Sequence, residues 1–457
     1  MLNSAEPIDL NDPRELIARS PMSALQVVVV LITAALNALD GFDVASISFA
    51  SPGIAKEWGM ERGALGIVLS MEVVGMAIGS MFLGGVADKI GRRRTVLGCT
   101  VIMALGMFMA PTTHGLVDLS IWRVVTGLGI GGMLAATNAV AAEFANTKRR
   151  HLSVSVMSTG YPVGAVTGGI MAQRLLTAYT WRSVFYLGAI ATTVLIPVVF
   201  FFVPESIHWL TQKRPAGVLE KINKTLRRMG HGAVASLPDL GRGARKLSIS
   251  DIFKPGLLHV TVLVTLAYFF HIVTFYFIVK WVPKIVTDFG FAASAAAGVL
   301  VWTNVGGMIG GAFLGALTQK FALRALTIGT MLSATVMVCL FGITPHDLTM
   351  LSAVCAISGF FINGAIVGMY ALFAQAFPTH VRGFGTGFAI GLGRGGSFLA
   401  PIIAGYLFQA GYGLSVVAVI MGLGSTMAAI VLILLKVISE RTPATAPPLS
   451  AEASYSA

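Results

Sequence analysis

Two carboxylates stand three residues apart in a run that otherwise reads like hydrocarbon. The run is LNALDGFDVASISFASP, residues 36–52, and the acids are Asp40 and Asp43. An ionised side chain at the centre of a bilayer costs about 2.5–3.5 kcal/mol or more. Low dielectric disfavours the charged form of a carboxyl, so an acid held there can take up and release a proton. Asp40, the deeper of the two, is the first candidate proton carrier and Asp43 the second; the plainer reading of each is a structural hydrogen bond. Four more ionisable residues fall inside long apolar runs: Glu72, Arg123, His271 and Arg394. Each should be paired or should face a wet cavity. His271 reads first as a packed histidine and second as a cavity residue. Asn37, one turn before Gly41, is a lesser cavity candidate.

The elements that must hold these residues are membrane helices. The chain is 55% hydrophobic and only 11% charged, too little charge to cover a soluble surface. Apolar stretches of about 20 residues, the length that crosses a roughly 30 Å hydrocarbon core, recur throughout. They predict helices over 24–50, 62–86, 95–111, 118–143, 152–177, 183–203, 257–282, 292–318, 325–343, 347–375, 383–408 and 413–436. This is an all-α membrane protein with twelve transmembrane helices. The expected partition is a tail (1–23), a six-helix bundle (24–203), a loop (204–256), a second six-helix bundle (257–436) and a tail (437–457). The first tail lacks a basic n-region and a small-residue cleavage site, so the first helix is expected to serve as the insertion signal.

With the N-terminus inside, Lys and Arg gather heavily in the inner loops and tails. That bias places both termini in the cytoplasm and accounts for the net charge of +12 without nucleic acid. Cys99, Cys339 and Cys355 match no metal spacing and read as packing residues. No nucleophile, metal or cofactor constellation is present, so neither an enzyme nor a cofactor is expected. The segment LEKINKTLRRM in the central loop is amphipathic and is expected to lie along the membrane surface.

The two bundles repeat. GSMFLGGVADKIGRR from Gly79 aligns with GGAFLGALTQKFALR from Gly310, so that Gly79, Phe82, Leu83, Gly84, Lys89 and Arg93 each meet their own residue type. EFANTKRR (143–150) aligns with QAFPTHVR (375–382) at nearly the same offset. Duplicated six-helix halves are the mark of secondary transporters, whose substrate site lies between the halves near mid-membrane.

The loop after the second helix, GGVADKIGRRR (84–94), resembles the major facilitator superfamily signature G-x-L-A-D-r-x-G-r-r, with Val86 in place of Leu. RVVTGLGIGG (123–132), PESIHWL (204–210) and GFGTGFAIGLGRGG (383–396) resemble other stretches of that superfamily. Within it, D-G-F-D in the first helix is similar to the aromatic acid:proton symporter family, across essentially the whole chain. The resemblance implies the major facilitator fold, with two pseudo-symmetric six-helix bundles. It implies uptake of a benzoate-like or hydroxybenzoate-like acid with protons by alternating access, in a bacterial inner membrane, by a monomer. It carries over Asp40, Asp43, Asp88, Arg123, Glu143, Arg382 and Arg394. Another solute, such as a sugar, a dicarboxylate or an exported drug, is the alternative.

At a rise of about 1.5 Å per residue, Asp43 and Arg123 lie at similar depth, and the implied fold lets them pair. Glu72 and Arg394 both fall near mid-membrane on helices that this fold sets side by side, so they are expected to bridge the halves. The alternative for Arg394 is a bond to the substrate carboxylate. Gly84, Asp88, Arg92, Glu143 and Arg382 are expected to form a cytoplasmic latch. For the ring of an aromatic acid, the stretches AYFFHIVTFYFIVKW (267–281), VWTNVGG (301–307) and GFFINGAIVGMY (359–370) offer stacking surfaces beside Asn304 or Asn363.

Overall fold

In hydrocarbon there is no water to satisfy the backbone, so an apolar run must close its own hydrogen bonds as a helix. The computed structural model describes residues 12–238, 253–318, 320–377 and 381–441. Its first half holds α1 (Pro13–Arg19), α2 (Ala24–Trp58), α3 (Arg62–Ile90), α4 (Arg92–Met109), α5 (Leu116–Glu143), α6 (Arg150–Ala178) and α7 (Arg182–Phe202). Two short helices follow, α8 (Ile207–Lys213) and α9 (Val218–Arg228). The second half holds α10 (Pro255–Asp288), α11 (Ala293–Leu317), α12 (Leu323–Phe341), α13 (Leu348–Ala376), α14 (Arg382–Gly393), α15 (Gly395–Gln409) and α16 (Leu414–Arg441). Eleven stretches are long and apolar enough to cross a membrane, with α14 and α15 together supplying one of them. The twelfth long helix is α6, whose polar residues keep it off that tally; its glycines pack on α2.

Local signals set the ends. Ser23 and Gln26 form a capping box at the start of α2, and Gly59 ends that helix in the left-handed region at φ 58°. Pro255 opens α10, where its missing N–H costs nothing.

The halves pack alike. In the first, α3 lies on α5, α2 on α6 and α7, and α4 on α5 and α7. In the second, α11 lies on α13, α10 on α14, α15 and α16, and α12 on α13 and α16. The contacts match residue by residue. A methyl at Gly79 would fall on the Leu128 carbonyl of α5, and one at Gly310 on the Phe360 carbonyl of α13. Gly164 meets the Ala38 carbonyl, and Gly396 meets that of Phe269.

Between the halves, α3 faces α15, α6 faces α11 and α2 faces α10. The buried apolar residues divide into three groups. One joins both halves at the end of the bundle away from α1, α8 and α9 (here the far end), with Ile47, Phe49, Leu65, Trp281, Ala297 and Ala404 among its members. The other two lie toward the end that carries α1, α8 and α9 (the terminal end), one confined to each half. Among the described residues the halves are therefore sealed together at the far end and parted at the terminal end. Tyr276 packs against all three groups, at the apex of the cleft.

Four expectations need correction. The first helix runs on to Trp58 and the seventh to Asp288, because Pro52 and Pro283 sit inside them instead of ending them. The eleventh helix breaks at Arg394. The amphipathic stretch turns its apolar face to the bundle and not outward: Ile222 and Leu226 of α9 are buried in the first half's own apolar group. The middle of the central loop, 239–252, the terminal tails at 1–11 and 442–457, and Thr379 of the repeat lie outside the described residues, as do the surroundings of Gly84 and the side chain of Arg382.

The glycine contacts predict the sign of a stability change. Gly164→Ala should lower the melting temperature of the detergent-solubilised protein, because overpacking of about 1–3 kcal/mol outweighs a helix-propensity gain of at most about 1 kcal/mol. Gly98→Ala, where a methyl meets nothing within 4 Å, should leave the melting temperature level or raise it.

Candidate functional site

The far-end seal holds the densest group of buried charge. Glu72 of α3 sits with its Oε2 2.5 Å from Arg123 of α5 and 3.5 Å from Lys280 of α10. All three side chains are fully buried. Arg123 also donates to the backbone carbonyl of Asp43 at 3.0 Å, and its guanidinium lies over the Phe185 ring at 5.4 Å. Lys280 donates to the next carbonyl along α2, that of Val44, at 2.6 Å. Two adjacent carbonyls of one helix thus take one cation from the same half and one from the other. Losing one partner of a buried ion pair leaves an uncompensated charge and costs about 3–5 kcal/mol, so this junction strongly favours the sealed far end.

Beside it lie the two acids of D-G-F-D. Asp40 and Asp43 are buried, and none of their four carboxyl oxygens has a hydrogen-bond partner; Glu72 Oε1 and Arg123 Nε are likewise unpartnered. Buried polar atoms are nearly always bonded, so four orphaned oxygens on neighbouring turns make Asp40 and Asp43 candidates for the functional site.

The cleft side of the group is formed by Arg394 and tyrosines. Arg394 is half-buried at the break between α14 and α15, and it faces the hydroxyls of Tyr268 and Tyr276 on α10 and Tyr370 on α13. Tyr161 of α6 faces Tyr276, Asp40 and Arg394 from the first half. Tyr268 and Tyr370 stack at 6.0 Å between centroids, with their hydroxyls 3.2 Å apart. The break follows from the sequence GLGRGG. Glycines favour neither helix nor close side-chain packing, and Gly393 and Gly396 let this segment lie directly on the Tyr268 ring and the Phe269 backbone.

Asp43 and Arg123 do meet, through the Asp43 carbonyl and not its carboxyl. The expected Glu72–Arg394 bridge is replaced by Glu72–Lys280: Glu72 points into the sealed junction, while Arg394 lies on the cleft side. Asn37 spends its amide on the carbonyls of Met157 and Ser158 in α6, at 2.9 and 3.3 Å. Asn304 and Asn363 bond back to their own helices through Leu300 and Gly359. His271 is fully buried; its Nε2 donates to the Ile362 carbonyl and its Nδ1 hydrogen-bonds the Ser425 hydroxyl, both at 2.9 Å. It fastens α10 to α13 and α16, and neither ring nitrogen is left for substrate.

Comparison with known proteins fits this geometry. The family model described as Major Facilitator Superfamily matches residues 33–321 and again 264–455. The chain belongs to the Major Facilitator Superfamily. It is therefore a transporter and not an enzyme. It is 26% identical to a gallate transporter of Pseudomonas putida, over 93% of this chain and 95% of that one. It is 29% identical to the 4-hydroxybenzoate transporter PcaK of Pseudomonas putida, over 85% of this chain and 87% of that one. In fold it is similar to the inward open conformation of the xylose transporter XylE from E. coli, with a TM-score of 0.67 at 18% identity, covering 89% of this chain and 95% of that one.

The superfamily signature forms a compact cluster. Arg92 bonds Asp88 at 2.6 Å across the α3–α4 turn and reaches Glu143 of α5 at 3.4 Å. Glu143 also takes the Ser206 hydroxyl, and Trp209 of α8 donates to the Asp88 carbonyl at 3.0 Å. Glu205 accepts from the amides of Arg93 and Ser206 at 3.1 and 3.0 Å. Gly91 turns the chain at φ 111°, and a side chain there would strike the Glu205 carboxylate. Among the described residues every one of these contacts lies within the first half; of the expected latch they join Asp88, Arg92 and Glu143, while the surroundings of Gly84 and the side chain of Arg382 lie outside the described residues.

Other ties close the far end: Arg62 to Asp288 at 3.0 Å, Ser70 to the Phe398 carbonyl at 2.8 Å, and Gln409 to Glu61. In a background lacking Cys99, Cys339 and Cys355, a cysteine replacing buried Ala400 should be protected from an impermeant thiol reagent added on the far side. Lys280→Met should raise that labelling rate at least about tenfold, since breaking a buried pair costs about 3–5 kcal/mol of the state that holds it. Unchanged labelling would show that Lys280 does not hold the far end shut.

Proposed function

We propose that this superfamily transporter imports an aromatic carboxylate together with protons across a bacterial inner membrane, as a monomer with both termini in the cytoplasm. The observation that carries this reading is the juxtaposition of one arginine and four tyrosines on the cleft side with two unpartnered acids buried behind them. Charge bias assigns the terminal end to the cytoplasm, so the described conformation is the one that releases substrate inward.

A benzoate-like anion fits the cleft in both its parts. Arg394 supplies a planar fork for the carboxylate, and the tyrosine rings supply faces for stacking and hydroxyls for ring substituents. The gallate and 4-hydroxybenzoate transporters named above support this substrate class, and so does the D-G-F-D pair. Asp40 lies closer to Arg394 and the cleft, and it serves as the first proton site; Asp43, behind it, borders the Glu72–Arg123–Lys280 junction. Proton and anion each bind the two end states with different affinity, and that difference moves the equilibrium between them.

In proteoliposomes, an imposed pH gradient should drive accumulation of 4-hydroxybenzoate. Asp40→Asn should abolish accumulation while leaving equilibrium binding measurable. Arg394→Gln should weaken substrate affinity about 10–100-fold, the worth of a hydrogen bond to a charged group. Accumulation of a neutral sugar in place of the aromatic acid would overturn the substrate assignment.

A further inference from the structure

We propose that the buried charges of this carrier close at neutrality with one proton per carboxylate, so that import is electroneutral and Lys280 is the positioning charge that sets the count. The inference rests on the proton-coupled uptake proposed above and adds its stoichiometry.

Among the described residues, the ionisable groups in the middle of the membrane-spanning helices are few enough to count. The acids are Asp40, Asp43 and Glu72. The bases are Arg123, Lys280 and Arg394. They form one electrostatic group: Asp40 faces Asp43, Glu72 and Arg394; Asp43 faces Glu72 and Arg123; and Lys280 faces Glu72 and Arg123. The remaining titratable neighbours carry no charge near neutral pH. They are Cys99 of α4, Tyr161 of α6, Tyr268 and Tyr276 of α10 and Tyr370 of α13. His271 is counted as the neutral ring: its Nε2 donates to the Ile362 carbonyl, its Nδ1 bonds the Ser425 hydroxyl, and an imidazolium there would be a buried charge with no ion partner among the described residues.

Counted as sites with neither proton nor anion bound, three acids balance three bases. An anion alone leaves the group one charge negative, and a proton alone leaves it one charge positive. Together they restore neutrality. Each uncompensated ion in a low-dielectric interior costs several kcal/mol, so the two singly loaded forms are the ones that fail to pass through the closed intermediate. Empty and doubly loaded carriers pass. Under this neutrality rule coupling is one proton to one monocarboxylate. Lys280 supplies the third cation, and it comes from the half opposite Glu72, Asp40 and Asp43.

The test uses the full-length carrier in proteoliposomes with 4-hydroxybenzoate as the probe. A pH gradient should drive uptake, and a potassium–valinomycin potential at equal pH should not. Proton and anion uptake should match one to one, with no transient current on a supported membrane. Uptake driven by the potential, or two protons per anion, would overturn the count while leaving symport intact. Anion uptake without any proton movement would overturn the symport reading itself. Variants give a second, independent line. Lys280→Met should move the midpoint of the pH–uptake profile up and Glu72→Gln should move it down, each by about 1–3 units. The double variant, which restores the balance, should return the profile toward the native one. Shifts in the same direction, or a double variant no nearer to native than either single, would overturn the role of Lys280. The potential measurement on the native carrier decides the count even where a variant fails to fold.

Discussion

The constraint on which this structure depends is the cost of charge in hydrocarbon. Among the described residues three acids and three Lys or Arg side chains sit in the middle of the membrane-spanning helices, and their arrangement answers that cost differently on its two sides. Toward the far end, Glu72, Arg123 and Lys280 satisfy one another and two carbonyls of α2. Toward the cleft, Arg394 is only half-buried and stands among tyrosine hydroxyls. Asp40 and Asp43 lie between, with no bonded partner for any carboxyl oxygen. The satisfied side joins the halves, and the unsatisfied side is where, in the proposed function, an anion and a proton make up what is missing. Closure of the far end and readiness of the site are thus two consequences of one distribution of charge.

The packing explains how that distribution can change. The halves share one apolar group at the far end and hold separate groups at the terminal end, so they can rock about the middle without either half unfolding. Small residues line the joint: Gly66 of α3 lies on the backbone of α15, and Gly405 of α15 lies on that of α3. Close backbone approach of this kind favours two discrete arrangements over a continuum, because interdigitated surfaces resist sliding. The signature cluster around Asp88 and Arg92 ties α3, α4, α5 and α8 together at the terminal end of the first half.

Much of this was legible in the sequence. Twelve apolar runs, the charge bias and the repeat at Gly79 and Gly310 gave the architecture, because length, glycine spacing and lysine placement report directly on membrane physics. D-G-F-D and the isolated Arg123 and Arg394 marked the centre, because a charge that costs this much in an apolar run is seldom kept without a task. Lys280 was missed for a definite reason. It lies in VKWVPK, and Pro283 reads as the end of a helix, which puts the lysine at the interface with water. The helix instead continues through that proline to Asp288, and Lys280 is drawn inside. With Lys280 unseen, Glu72 was assigned the wrong partner. The break at Arg394 was likewise hidden, since a hydropathy run does not register a glycine-lined kink, and the partners of Asn37 and His271 depend on tertiary contacts that no local pattern encodes.

The repeat also shows where function has departed from symmetry. The matched contacts, Gly164 on Ala38 and Gly396 on Phe269, fix the correspondence of α2 with α10. The position of Asp40 is then His271, and that of Asp43 is Thr274. Gly127 on Glu72 corresponds to Gly359 on Thr303, so Glu72 is matched by a threonine. In the second half these positions are neutral and bonded: His271 to Ser425 and Ile362, Thr274 to the Met421 carbonyl at 2.7 Å, and Thr303 to that of Val299 at 3.1 Å. The acids all belong to the first half. Of the three cations, Lys280 and Arg394 come from the second, on α10 and at the α14–α15 break. Two halves that match in packing differ in charge, one holding the buried acids and the other most of the positive charge that faces them. A charge balance shared across the joint is sensitive to movement at that joint, and one contained within either half would not be.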